Sequence, residues 1–243
     1  MDPKKPIIAL DFQEMDQLEG FLNQFQEPLN VKIGMELYYT SGTAMIHALK
    51  ERGHEIFLDL KLHDIPNTVK WAMKSLAKQG VAMLNVHAMG GRAMMEAARQ
   101  GIDKGVKAGQ ARPLLLAVTQ LTSTSSEQLH EEQLVEVSME ESVSHLAKLT
   151  QMAQLDGVVC SPLEAKALKA QFGSGFITVT PGIRLNQGGD DQKRTATPYD
   201  AALNGCDYIV VGRPITQASD PVEAYHAILA DWQSGLAAKN KIF

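Results

Sequence analysis

The sequence predicts a (β/α)8 TIM barrel, and two observations lead to this fold class. Eight short runs of β-branched and aliphatic residues occur along the 243 residues, and amphipathic stretches separate them. Strands that alternate with helices in this way form parallel sheets. A doubly wound sheet is the competing architecture, but it has no evident reason to reach eight repeats within this length.

The eight predicted strands are defined by their aliphatic and β-branched composition. In chain order they cover residues 7–12, 30–34, 55–60, 82–88, 114–120, 157–160, 176–181 and 207–212. A parallel barrel strand is buried on both faces and is normally a continuous apolar run. The charges that interrupt some of these runs therefore need an explanation.

The predicted helices fill the intervals between the strands. They cover residues 41–52, 65–79, 92–108, 133–154, 162–172 and 221–234. In the second of these, Ile65, Val69, Met73 and Leu76 recur at helical spacing, and Gly80 follows as a stop signal. The chain has no low-complexity segment and no linker, so residues 1–243 are predicted to form a single domain.

Composition and charge narrow the classes of function. A net charge of −5 with 21% charged residues gives no electrostatic reason to expect nucleic-acid or membrane binding. No run approaches the roughly 20 apolar residues that cross a bilayer, and the first residues lack a secretory signal. Cys160 and Cys206 are too few for a disulfide framework and are predicted to be buried free thiols. We therefore expect a cytoplasmic protein.

The third predicted strand carries an unusual set of charges in the stretch "FLDLKLHDIPNTV", residues 57–69. Residues two apart on a strand share a face, so Asp59 and Lys61 point into the barrel with Phe57. The leucines between them then pack on the outer helices. Asp64 follows the strand, where Ile65 and the next proline open a helix.

Two further charges stand on neighbouring strands, Asp11 at the end of the first and Lys32 within the second. Alternating signs at one barrel mouth would keep such groups ionised despite partial burial. An ammonium among carboxylates can donate a proton and stabilise a developing negative charge. The structural alternatives are solvated strand-end charges, a helix N-cap for Asp64 and an edge-guarding charge for Lys61. The D-x-K-x-x-D spacing with two more strand-end charges favours function.

The eighth strand ends in "VVGRP", which suggests a phosphate site. Gly212 permits close backbone approach, and Arg213 supplies charge and directed donors. Barrel enzymes often hold a phosphate at the loops after strands 7 and 8. The long polar segment 182–194, "GIRLNQGGDDQKR", is predicted to be a lid, although a plain surface loop has a similar composition.

The motif "DLKLHDIPNTV" closely resembles the signature of the orotidine 5′-phosphate decarboxylase family. Further matches occur in the same order: "ALDF", "VKIGMEL", "NVHA", "AVTQLTS", "VTPGIR" and "VVGRPIT". The resemblance covers nearly the whole chain and is greatest to the compact bacterial members. It implies a barrel that converts orotidine 5′-monophosphate (OMP) to UMP, the last step of de novo pyrimidine nucleotide synthesis, with neither a metal nor an organic cofactor.

The resemblance also implies roles for individual residues. Lys32, Asp59, Lys61 and Asp64 correspond to a catalytic charge network in which Lys61 donates the proton. Family members are homodimers, so Asp64 and Thr68 would reach the neighbouring site. Substrate contacts are implied for Asp11, Lys32 and Thr68 on the ribose, Thr122 on the pyrimidine edge, and Arg184, Gln192, Gly212 and Arg213 around the phosphate. Without the resemblance, Thr122 could equally belong to a helix-capping run.

Two alternatives share the fold. Magnesium-dependent sugar-phosphate decarboxylases and aldolases of the same superfamily bind their metal partly through an acidic residue on the second strand. Here that strand carries Lys32, which would repel a metal ion. A phosphosugar-binding dimer without catalytic activity is the second alternative, and the intact charge set argues against it.

Overall fold

The structure is a computed structural model that describes residues 1–185 and 194–242, and its strands form a closed parallel barrel. The strands are β1 (Ile7–Ala9), β2 (Asn30–Ile33), β3 (Glu55–Leu62), β4 (Met83–His87), β5 (Leu114–Val118), β6 (Gly157–Val159), β7 (Ile177–Thr180) and β8 (Tyr208–Val211). Each strand pairs with the next, and β1 pairs with β8 to close the sheet. The predicted (β/α)8 barrel is confirmed.

Helices surround the barrel on the outside. They are α1 (Met15–Leu22), α2 (Met35–Glu51), α3 (Pro66–Ala77), α4 (Gly91–Gly105), α5 (Ser126–Glu131), α6 (Met139–Met152), α7 (Ala165–Phe172), α8 (Pro198–Leu203), α9 (Arg213–Thr216) and α10 (Pro221–Ile242). Helix α2 is broken at Gly42, where φ is 61°. Among the described residues, none of these helices has the length and apolar character needed to cross a membrane.

Several element boundaries differ from those predicted. The helix predicted at 133–154 begins at Met139, because Ser138 forms a capping box with Glu141. The helix predicted at 41–52 begins earlier, at Met35. The first strand, predicted to reach residue 12, ends at Ala9. Helices α1, α5, α8 and α9 were not predicted.

The core has two layers, one inside the barrel and one between the barrel and its helices. The inner layer contains Phe57 with residues from the other strands, such as Ile7 and Met83. Leu58 and Leu60 belong to the outer layer. The predicted alternation along β3 is therefore confirmed: one face of the strand packs outward and the other faces the barrel interior.

Helices α3 and α4 are packed backbone to backbone. A Cβ atom added at Gly101 would lie 2.2 Å from the carbonyl oxygen of Lys70, and one at Gly105 would lie 2.4 Å from that of Lys74. Only glycine permits so close an approach. Because α3 begins two residues after Asp64, this contact fixes the position of the chain that leaves β3.

Candidate active site

Four charged side chains of alternating sign meet at the carboxyl ends of β1, β2 and β3. The Lys32 Nζ lies 3.2 Å from Oδ1 of Asp11 and 3.4 Å from Oδ2 of Asp59. The Lys61 Nζ lies 2.8 Å from the same oxygen of Asp59. The structure therefore brings Asp11, Lys32, Asp59 and Lys61 together in a row of alternating charges, called the charged chain below, in which Asp59 contacts two ammonium groups.

The centre of the charged chain is buried, whereas its ends are accessible to solvent. The side chain of Asp59 is 9% exposed and that of Lys32 is 13% exposed, whereas Asp11 is 62% exposed. Burial alone would raise the pKa of Asp59, but the Lys32 and Lys61 ammonium groups outweigh it and lower that pKa. Burial likewise opposes the charge on Lys32, yet Asp59 and Asp11 raise its pKa. Both groups are therefore ionised at neutral pH.

The backbone of Lys61 leaves the regular geometry of the strand. Its φ is 50°, in the left-handed region that non-glycine residues seldom adopt. The register with β4 also shifts here, because Leu58 pairs with Leu84 while Leu62 pairs with Val86. Four steps along β3 therefore match two along β4, and the extra length allows Lys61 to protrude at the barrel mouth.

Asn85 on β4 supports this irregular segment and was missed from the sequence. Its side-chain nitrogen donates to Oδ1 of Asp59 at 2.6 Å, and its Oδ1 accepts the backbone N–H of Lys61 at 2.8 Å. Asn85 is only 1% exposed. The available signal was an amide inside the apolar run "AMLNVHA", at a position that faces the barrel interior.

A cavity of about 240 Å³ lies next to the charged chain. Its apolar floor includes Phe57, Val118 and Val210. The predicted site residues that line it are Asp11, Lys32, Asp59, Lys61, Thr122, Arg184, Gly212 and Arg213. Residues from β1–β3 and from the segments after β5, β7 and β8 therefore share one concave site.

Two of the predicted residues that the structure describes do not line this cavity. Asp64 and Thr68 are exposed, and neither lines the cavity of its own chain. The structural alternative for Asp64, a helix N-cap, is wrong: the N-cap of α3 is Ile65, with Pro66 in the first turn and no side-chain cap. Asp64 Oδ1 instead accepts the N–H of Ile65 at 2.6 Å. Gln192 lies outside the described residues.

Two polar residues near the cavity, Gln120 and Arg194, were not singled out from the sequence. Gln120 is 3% exposed and lines the cavity at the end of β5. Arg194 donates from Nη2 to the Leu121 carbonyl at 2.8 Å and pairs with Glu164. No sequence pattern predicts these two contacts of Arg194, because Leu121 and Glu164 lie tens of residues away from it along the chain.

Fold and site together define a class: barrel proteins with an ionic site at the carboxyl ends of the strands and a Gly–Arg turn after β8, typical of enzymes that act on phosphorylated small molecules. A family model described as "Orotidine 5′-phosphate decarboxylase / HUMPS family" matches residues 4–228. The chain belongs to this family.

Curated relatives and solved structures agree with the family match. An orotidine 5′-phosphate decarboxylase of Listeria innocua is 58% identical over 232 residues, which cover 95% of this chain and 99% of that protein. The enzyme of the same name from Listeria monocytogenes is 56% identical over the same coverage. The crystal structure of orotidine 5′-phosphate decarboxylase from Lactobacillus acidophilus has a TM-score of 0.85 at 46% identity, covering 94% of this chain and 98% of that one.

Proposed function

We propose that this chain decarboxylates OMP to UMP, the last step of de novo pyrimidine nucleotide synthesis. The names of relatives that match the chain over almost its whole length support this activity. The observation that carries the proposal is the charged chain formed by Asp11, Lys32, Asp59 and Lys61, which lies beside a cavity lined by Arg213. Such a site combines a fixed ammonium group with a cation suited to a phosphate.

Lys61 is the proposed proton donor. When the bond between C6 and the carboxylate carbon breaks, CO2 leaves and the electron pair stays on C6. This pair occupies an in-plane orbital that cannot delocalise into the pyrimidine π system, so an electrostatic partner is needed. The Lys61 ammonium stabilises the pair and then transfers one proton to C6, and the neutral amine regains a proton from water. The 2.8 Å contact with Asp59 fixes the ammonium before substrate binds.

The remaining substrate contacts are proposed from the cavity lining. Asp11 and Lys32 would bind the ribose hydroxyls, and Thr122 would meet the pyrimidine edge. The phosphate would lie among Arg184, Gly212 and Arg213, with Gln192 added from the segment after β7. Their convergence on one cavity supports this assignment for all except Gln192.

We also propose a homodimer in which Asp64 and Thr68 complete the partner's site. Both are exposed and lie outside the cavity of their own chain. Two large apolar side chains near them in the sequence are also exposed, Ile65 at 67% and Trp71 at 50%. Large apolar side chains that are exposed together mark interaction surfaces. A second copy of this chain would cover them and deliver Asp64 to the site.

The first test is the ultraviolet absorbance of OMP mixed with chelator-treated protein. We expect an absorbance change that scales with enzyme concentration and yields UMP. Lys61→Ala should fold normally and lose turnover, whereas Lys70→Ala, a lysine change on α3 outside the cavity, should retain it. Substantial turnover by folded Lys61→Ala would refute the proton-donor role. Turnover only of sugar phosphates with magnesium would instead support the alternative, which is disfavoured because the Lys32 ammonium lies between Asp11 and Asp59.

The dimer is tested by mixing two inactive variants, Lys61→Ala and Asp64→Ala, under conditions that exchange subunits. If Asp64 serves the partner's site, each hybrid dimer contains one complete site, and about a quarter of the wild-type activity should return on random pairing. If Asp64 serves its own chain, every site lacks one of the two groups. In that case no activity returns.

The domain organisation and location are proposed as well. We propose that residues 1–243 form one domain, supported by the barrel closure between β1 and β8. A cytoplasmic location is supported by the two buried free cysteines, Cys160 and Cys206, because oxidising compartments favour disulfides. Urea unfolding tests the first proposal, since one domain should unfold in a single cooperative transition. Cell fractionation tests the cytoplasmic location.

A further inference from the structure

Arg194 connects three elements around the cavity. Its Nη2 donates to the carbonyl oxygen of Leu121 at 2.8 Å, and its Nη1 pairs with the carboxylate of Glu164. The other carboxylate oxygen of Glu164 accepts the N–H of Ser161 at 2.8 Å. The side chain of Glu164 is 9% exposed and that of Arg194 is 18% exposed. The guanidinium is therefore held on one side and directed at a backbone carbonyl on the other.

The chain around Arg194 is itself anchored at the base of the segment after β7. The N–H of Arg184 donates to the carbonyl of Ala196 at 3.0 Å, and the N–H of Ala196 donates to the carbonyl of Gly182 at 3.1 Å. Gly182 and Arg184 both line the cavity. Arg194 thus extends from a hydrogen-bonded stem on the β7 side toward the β5 side of the same cavity.

The carbonyl that Arg194 binds belongs to residues 120–122, the base segment, which follows β5 and lines the cavity. The segment is also held from behind. The Gln120 side-chain nitrogen donates to the Ser142 hydroxyl at 3.2 Å and to the Gln133 side-chain oxygen at 3.1 Å. Two fixed points on adjacent residues leave Thr122, the next residue, with little conformational freedom.

We propose that Arg194 is a positioning residue that holds the base segment in place and thereby sets the affinity of the site for the pyrimidine. This inference rests on the proposed function, which assigns the pyrimidine edge to Thr122. A guanidinium can bind the Glu164 carboxylate and the Leu121 carbonyl at once through separate nitrogens. A lysine at this position has one ammonium for both partners and cannot span them in the same way.

The experiment compares two ligands that differ by the base. Dissociation constants for UMP and for ribose 5-phosphate are measured by calorimetry on wild type, Arg194→Ala and Arg194→Lys. We expect Arg194→Ala to weaken UMP binding about tenfold, the loss of roughly one charge-assisted hydrogen bond, while ribose 5-phosphate binding stays within about twofold. Added guanidinium ion should restore part of the UMP affinity to Arg194→Ala. Arg194→Lys should behave like Arg194→Ala and provides the test if the alanine variant fails to fold.

Arg112→Ala is the matched control. Arg112 pairs with Asp156, bonding both oxygens of its carboxylate, beside β5 but outside the cavity. Its removal should lower stability and leave both ligand affinities unchanged. Equal weakening of UMP and ribose 5-phosphate in the Arg194 variants, or unchanged UMP affinity, would overturn the inference. Wild-type turnover of OMP in the same preparation reports on the proposed function separately.

Discussion

Asn85 on β4 and Asp59 on β3 are joined by a 2.6 Å hydrogen bond beneath the charged chain. The same amide accepts the backbone N–H of Lys61. Asn85→Ala should therefore leave a buried carboxylate oxygen and a backbone donor without partners, at a cost of about 1–3 kcal/mol in the free energy of unfolding. We expect kcat to fall about tenfold or more, because Asp59 and Lys61 lose their fixed geometry. Urea unfolding and steady-state kinetics measure the two effects.

Asn30→Ala is the control for this prediction. Asn30 is also buried, at 2% exposure, but its amide donates to the carbonyls of Asp2 and Lys5 away from the cavity. Its loss should reduce stability by a similar amount and leave kcat unchanged. An equal fall of kcat in both variants would show that Asn85 acts only through general stability.

The charged chain should make the stability of the protein depend on pH. The comparison is the free energy of unfolding of wild type minus that of the double variant Lys32→Met/Asp59→Asn. The pKa of Asp59 is lowered on folding, so its contribution is complete above its ordinary value of 3.8 and is lost as the pH falls below it. The pKa of Lys32 is raised on folding, so its contribution is complete below 10.5 and is lost as the pH rises further.

The difference should therefore be flat across neutral pH and should decline at both extremes. Urea unfolding at a series of pH values measures it. A difference that stays constant into strong acid and strong base would mean that the two groups are not coupled in the folded state. This test depends on how the difference changes with pH and not on whether it is positive or negative at neutral pH, because buried ion pairs need not be net stabilising.

Gly101→Ala should destabilise the protein by about 1–3 kcal/mol, because the added methyl group would collide with the Lys70 carbonyl and push α4 away from α3. Gly20→Ala is the matched control on α1. A Cβ at Gly20 has no neighbour within 4 Å, so this change should stabilise the helix by about 0.5–1 kcal/mol. Urea unfolding measures both variants. A neutral Gly101→Ala would show that the two helices can separate without cost.

The two cysteines should be unreactive in the native protein. Burial raises the pKa of the Cys160 thiol, and it raises the pKa of Cys206 to about 12. Because the thiolate is the nucleophile, alkylation by iodoacetamide at pH 8 should be slower than in urea by a factor on the order of 100. Mass spectrometry follows the two adducts. Rapid alkylation of either thiol in the native state would contradict the buried assignment.

The sequence was sufficient to predict the barrel and the inward charges, for a simple physical reason. Strand identity depends on local composition, and the two-residue alternation assigns Asp59 and Lys61 to one face with Phe57. Boundaries were less predictable because they depend on partners elsewhere. β1 ends at Ala9, where its register with β2 ends, although Leu10 and Phe12 on either side of Asp11 are apolar.

The rest of the site depends on contacts between distant segments. The role of Asn85 appears only when β3 and β4 are placed in register, including the shift after Leu58. The pairing of Arg194 with Glu164 and Leu121 joins parts of the chain that no spacing rule connects. The error at Asp64 is local: Pro66 fixes the start of α3 and makes Ile65 the N-cap.

The left-handed backbone at Lys61 limits how this chemistry can be transplanted. A designer who copies only Asp59 and Lys61 onto a regular barrel strand would reproduce the residue types, but the Lys61 side chain would point in the wrong direction. The two extra residues of β3 relative to β4 and the Asn85 amide that accepts the Lys61 N–H would have to be copied with them. The smallest portable unit is thus a pair of adjacent strands with a defect in one of them.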